Sequence, residues 1–230
     1  MPNIIFKNAL PRIAAIGCLF FLSSASLVSA QETYTWNAVF ADYQIDSVQG
    51  IRLETHYRTK DFWGGQQQFI LRPSYVRKLN NQITLSGGYS FLNTEIQAVF
   101  LGEHNLWQQV FYTIPYKKST FFGWIRAEQR WMENTASDFD FGGRLRFRFG
   151  WRKPFLGLDK KLDFMIFNEV FMLTKSLFPH TFNQNWTFLG FRAVLSPKAT
   201  LVSGYQRIHQ DKQGSILEKN LWSSILFIRL

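Results

Sequence analysis

Between Phe141 and Trp151 the chain reads FGGRLRFRFGW, with Arg144, Arg146 and Arg148 on one parity and Phe141, Leu145, Phe147, Phe149 and Trp151 on the other. Residues two apart point to nearly opposite sides of a helix but to the same side of a strand, so only an extended chain gathers those arginines on one face. The alternation recurs. Ile51, Leu53 and Tyr57 oppose Arg52, Glu54, His56 and Arg58, and Ile83, Leu85, Tyr89 and Phe91 oppose Gln82, Thr84, Ser86 and Ser90. Further strands are expected near 35–44, 67–78, 105–114, 120–132, 162–173, 182–195, 199–209 and 220–230, which makes eleven candidates and almost no helix. Turn signals at Asn80-Asn81, Lys117-Lys118, Ser196-Pro197-Lys198 and the polar stretch Asp211 to Lys219 separate them.

The first 30 residues carry a different pattern. Lys7 and Arg12 supply a positive start, Ile13 to Val28 an apolar run, and Val28-Ser29-Ala30 a small-residue cleavage site, the arrangement of a secretory signal peptide. Residues 1–30 are therefore expected to be removed, leaving Gln31–Leu230 as the mature domain. Ala15-Ile16-Gly17-Cys18 faintly resembles a lipoprotein box, but Leu19 to Leu27 still continue the apolar run beyond it. Cys18 is the one cysteine, so neither a disulfide framework nor a thiolate metal site is available. Loss of Lys7 and Arg12 leaves 24 basic against 16 acidic residues, a formal charge of +8.

Alternation alone does not say which solvent meets the apolar face. A soluble sandwich or lipocalin turns that face inward, whereas an outer-membrane barrel turns it toward lipid and lines its interior with polar groups. Three features favour the barrel. Many stretches approach the roughly 9–11 residues that cross a bilayer on a tilt, against about 5–6 for an ordinary strand. The last strand ends at the chain terminus with large apolar residues on one face. Trp36, Tyr43, Trp63, Tyr75, Tyr116, Trp131, Trp151 and Trp222 sit near strand ends, where interfacial girdles are expected. The expected fold is all-β, an antiparallel up-and-down transmembrane barrel. Since such barrels normally have an even number of strands, eleven candidates imply ten, if 34–44 is not in the wall, or twelve, if 93–104 hides another. Connections at 80–81, 116–118 and 196–198 are expected in the periplasm, with longer loops at 93–104, 133–140 and 174–181 outside.

At the C-terminus Trp222, Leu226, Ile228 and Leu230 share one face. This resembles the terminal recognition signal by which bacterial outer-membrane barrels engage the barrel-assembly machinery, although that signal usually closes on an aromatic residue and this chain closes on Leu230. The chain from about Trp36 to Tyr205 resembles a bacterial family, the domain of unknown function 2490 group of predicted outer-membrane barrels. The likeness rests on Arg126-Ala-Glu128-Gln-Arg130, Arg144-Leu-Arg146-Phe-Arg148, Asn168-Glu169-Val170-Phe171, and Phe182-Asn183-Gln184-Asn185 with Leu189-Gly190. Where the family often has Arg after the Asn of the last motif, this chain has Trp186. The resemblance implies a barrel in the bacterial cell outer membrane and no particular reaction.

Candidate chemistry lies on the polar face. Arg126, Glu128, Arg130, Arg144, Arg146, Arg148 and Glu169 are expected to meet inside the barrel, near Arg152. Buried charges must pair, so the first reading is an ion-pair ladder that stiffens a structural barrel. The sharper reading is a narrow anion-favouring pore, because arginines outnumber glutamates in the set. A lipid-modifying hydrolase and a soluble periplasmic lipocalin-like barrel are the alternatives. His56 lies beside Glu54 on a polar face, His104 and His180 in expected loops, and His209 two residues from Arg207. None has metal-pair spacing and no G-x-S-x-G elbow occurs, so no catalytic residue, metal or cofactor is expected. Outer-membrane lipids are the expected partners, with Lys117, Lys118, Lys153, Lys160 and Lys161 toward anionic head groups. Nucleic acid is not expected, since the arginines alternate with Phe and Leu instead of forming a solvated patch, and the solute, if any, is open.

Overall fold

The computed structural model describes residues 33–60, 64–155, 161–175, 182–212 and 214–230. Among them eleven strands form: β1 (Thr33–Gln44), β2 (Gln49–Thr59), β3 (Gln66–Lys78), β4 (Ile83–Ile96), β5 (Val99–Tyr116), β6 (Ser119–Glu133), β7 (Phe139–Pro154), β8 (Leu162–Lys175), β9 (Phe182–Ser196), β10 (Ala199–Lys212) and β11 (Ser215–Arg229). Each strand pairs with its sequence neighbours, and β1 closes the barrel against β11.

The expectation of ten or twelve strands fails for a topological reason. A chain that alternates up and down eleven times finishes in the direction in which it started, so the closing pair must be parallel. Thr33–Asp42 of β1 lie beside Asn220–Arg229 of β11 in that sense, and Leu230 N extends the seam by donating to Asp42 O at 2.9 Å. Every other pairing is antiparallel. The segment 34–44 is thus a wall strand. Residues 93–104 hold neither a hidden strand nor a long loop: they prolong β4 and β5, which meet at Gln97 and Ala98, φ 51° and 65°. Positive φ at both central residues matches the twist of the flanking strands, as two-residue hairpins require.

The short connections 79–82, 117–118 and 197–198 share one mouth of the barrel with Leu230, and 134–138 lies at the other. The expected loop at 174–181 falls mostly outside the described residues, as do His180, Lys160 and Trp63. In the connection between β1 and β2, Asp46 accepts from the backbone N–H groups of Val48 at 2.8 Å and Gln49 at 2.7 Å. These bonds hold its carboxyl below the usual carboxylate range. Following cross-strand partners from Ser90, midway along β4, through Asn105 and Arg130 leads to Gly142 near the start of β7. Such drift means that the strands tilt against the barrel axis, as closure demands.

The apolar parity points outward. Leu53, Leu71, Leu106, Val110, Ile125, Phe147, Phe149 and Leu189 are all exposed on the outer wall, the reverse of a soluble lipocalin. Tyr43, Tyr75, Tyr116, Trp131 and Trp222 are also exposed outside. Trp36 departs from the expected girdle: it lies on the inner parity of β1, its ring 5.0 Å from that of Trp186. Inside, one aromatic group gathers Tyr34, Phe171, Trp186, Ile208 and Leu221, and a second Phe122, Phe167, Phe188 and Val202. The rings of Phe167 and Phe188 stack at 4.8 Å. The tip of the Phe188 ring sits against Gly190 and Gly204, which face each other across β9 and β10. A Cβ on Gly204 would stand 2.5 Å from the Gly190 Cα and 2.9 Å from the Phe188 ring. These two glycines make room for the ring that fills the lumen.

Candidate functional site in the barrel lumen

The inner parity of β6, β7 and β8 sets the expected charges side by side, with Glu128 directly across from Arg144, Arg126 from Arg146, and Arg148 from Glu169. Like charges directly opposed repel, and the side chains sort accordingly. Arg146 joins two carboxylates, donating through Nη1 to Glu128 Oε1 at 2.9 Å and through Nε to Glu169 Oε1 at 2.7 Å. Arg144 Nε donates to Glu128 Oε2 at 2.5 Å. Arg148 donates to Glu169 Oε2 through Nε at 2.9 Å and through Nη2. Arg148 is also held between rings, 3.6 Å from the Trp124 centroid and 3.8 Å from that of Phe167. Neither Glu128 nor Glu169 has exposed side-chain surface.

Two members of the expected set have other partners. Arg130 chelates Glu103, with Nε to Oε1 at 2.6 Å and Nη2 to Oε2 at 2.8 Å. Arg126 touches no carboxylate among the described residues: its Nε donates to Gln109 Oε1 at 2.8 Å, and its guanidinium rests 4.2 Å over the Trp107 ring. Arg152 belongs elsewhere, near Asp163 at 3.9 Å, which Arg192 approaches at 3.1 Å.

The lumen also holds charges that the sequence reading did not join to this set. Arg72 donates to Glu54 Oε2 at 2.8 Å and to Ser90 Oγ at 2.7 Å. His56 Nε2 lies 3.4 Å from the same Glu54 oxygen. Arg58 donates to Gln68 Oε1 at 2.5 Å and covers the Trp36 ring at 3.8 Å. Arg52 and Asp42 pair through two bonds of 2.6 and 2.9 Å. The parity of Arg52, Glu54, His56 and Arg58 was the available signal, since it matches that of Arg144 to Arg148.

The outer wall carries a polar sector on β8 to β11. Asn168 and Asn185 exchange amide hydrogen bonds at 2.9 and 3.0 Å. Arg207 donates to Glu218 Oε2 at 2.7 Å, and His209 Nε2 lies 3.2 Å from Glu218 Oε1. His104, expected in a loop, stands on β5 with Nδ1 2.5 Å from the Tyr89 hydroxyl. At the mouth that holds Leu230, Lys117, Lys118 and Lys153 line a groove with Tyr116, Phe121 and Trp151. Among the described residues no group of three or more histidine, cysteine or carboxylate side chains is placed to hold a metal ion.

A closed β-barrel with an apolar outside and a charged inside has the architecture of porins. A NanC porin solved in a rhombohedral crystal form matches with a TM-score of 0.52, at 10% identity, over 86% of this chain and 98% of that one. At that identity the likeness is one of fold. The search of curated proteins returns no match. The model of a protein family of unknown function, DUF2490, matches residues 33–218, and the chain belongs to that family.

Proposed function

We propose that this chain is an outer-membrane barrel acting as a closed structural wall, its lumen locked by the arginine–glutamate ladder. The observation that carries the reading is the complete burial of Glu128 and Glu169, two carboxylates shared by Arg144, Arg146 and Arg148. A solute would have to break these charge-assisted bonds in a medium of low dielectric, where unpaired charge is very costly. The porin-like fold and the outward apolar face support the outer-membrane location. Outer-membrane lipids are its partners on this reading, with Lys117, Lys118 and Lys153 meeting anionic head groups beside Tyr116 and Trp151. The outward Trp222, Leu226, Ile228 and Leu230 present the signal to the barrel-assembly machinery during insertion.

A narrow anion-favouring pore is the second reading, favoured by the excess of arginine inside. Planar bilayers separate the two. The closed wall predicts no channel steps above background after insertion of refolded protein, and a steady conductance with an anion-biased reversal potential overturns it.

A further inference from the structure

The centre of the lumen is unbalanced in two independent ways. Arg58, Arg72, Arg126, Arg144, Arg146 and Arg148 stand against three carboxylates, Glu54, Glu128 and Glu169, which take their bonds from Arg72, Arg144, Arg146 and Arg148. Guanidinium does not give up its proton in a protein, so the positive excess cannot titrate away, and buried charge without a counter-charge is very costly. The hydrogen-bond inventory leans the same way. Among the described lumen residues the buried side-chain atoms without a partner are six nitrogens, on Trp36, Arg58, Asn105, Trp107, Trp124 and Gln206, and a single oxygen, on Asn105. Native interiors leave few such groups unmade. A surplus of cations together with a surplus of donors calls for an acceptor that carries negative charge.

Both surpluses meet at Arg126. It is 5% exposed, and its one hydrogen bond among the described residues goes to Gln109. The guanidinium stands 4.2 Å from the Trp107 ring and 5.8 Å from the Trp124 ring, and each indole has an unused Nε1 donor. Arg72 approaches the same Trp107 ring at 5.9 Å. Asn105, two residues from Trp107 on the inner parity of β5, is 1% exposed and has neither amide atom bonded. We propose that the middle of the lumen binds a small oxyanion of the phosphate, sulfate or carboxylate class, held by Arg126 and Arg72 and by the N–H donors of Trp107, Trp124 and Asn105. An oxyanion offers several acceptor lone pairs to donors carried by β3, β5 and β6, and it offsets charge that the three glutamates leave over. A lodged ion would also complete a sealed barrel, so the inference stands apart from the closed-wall reading, which conductance tests separately.

The test uses the mature chain refolded in a phosphate-free detergent. Its Tm is followed while sodium phosphate, sulfate or acetate replaces sodium chloride at constant ionic strength. The site predicts a saturable rise in Tm at millimolar oxyanion, unlike the near-linear effect of excluded salts at high concentration. Arg126→Gln abolishes the rise. Trp107→Phe keeps the ring and removes one unbonded N–H, so it moves the phosphate midpoint up by about tenfold or more, the scale of a hydrogen bond to a charged group. Two results overturn the proposal: no saturable difference between oxyanion and chloride, or a phosphate midpoint unchanged by Trp107→Phe. Should Arg126→Gln fail to fold, the wild-type titration and Trp107→Phe still decide.

Discussion

Glu169→Ala will lower the stability of the barrel by about 3–5 kcal/mol, the usual cost of removing one partner from a buried ion pair. Glu169 is fully buried and takes bonds from both Arg146 and Arg148. Its loss strands Arg148 beside the cationic Arg146, whereas Glu128 still serves Arg144 and Arg146. Urea unfolding of protein refolded in vesicles, followed by tryptophan fluorescence, gives the value. Replacing Arg146, Arg148 and Glu169 together by apolar residues of similar volume should cost much less, because desolvation and attraction then disappear together. A single variant as stable as the native chain would mean that water reaches these groups.

Ile125→Arg will lower stability by about 2–4 kcal/mol in lipid vesicles, the cost of a cation on the lipid face near the bilayer midplane. Ile125 is half exposed on the outer wall midway along β6, flanked by Val110 on β5 and Phe147 on β7. Its neighbour Arg126, on the other parity, points into the lumen. One residue of register therefore decides whether an arginine faces hydrocarbon or the charged interior. Ile125→Leu is the control and should be close to neutral. Equal stability of the arginine and leucine variants would place water on this face.

The alternation at 51–58, 82–91 and 141–151 was enough to read strands and to separate the two faces, because side-chain direction in a strand depends on parity alone. Long-range facts were less visible. The parallel seam between β1 and β11 leaves no local mark, as any strand sequence can pair either way, and a parity rule drawn from even barrels pointed to ten or twelve. Gln97 and Ala98 lack the Asn-Gly or Asp-Gly signature of their turn, so the ends of β4 and β5 read as loop. That concealed Glu103, and with it the partner of Arg130. Trp36 lies near a strand end, yet its parity matches that of inward Ala38 and Tyr34, and parity decides which way the ring points. The shared parity of the arginines and glutamates is legible in sequence. Which arginine takes which carboxylate is not, since it depends on the reach of long side chains across a curved wall.

Which solvent touches each face can be measured directly with nitroxide labels at single cysteines. A chain starting at Gln31 has no native cysteine to compete. Labels at Val110→Cys and Phe147→Cys, on the exposed outer wall, should be relaxed strongly by molecular oxygen and hardly at all by a water-soluble nickel chelate when the protein sits in lipid vesicles. Strong relaxation by the nickel chelate at both positions would contradict the account, because it would put bulk water where hydrocarbon is required.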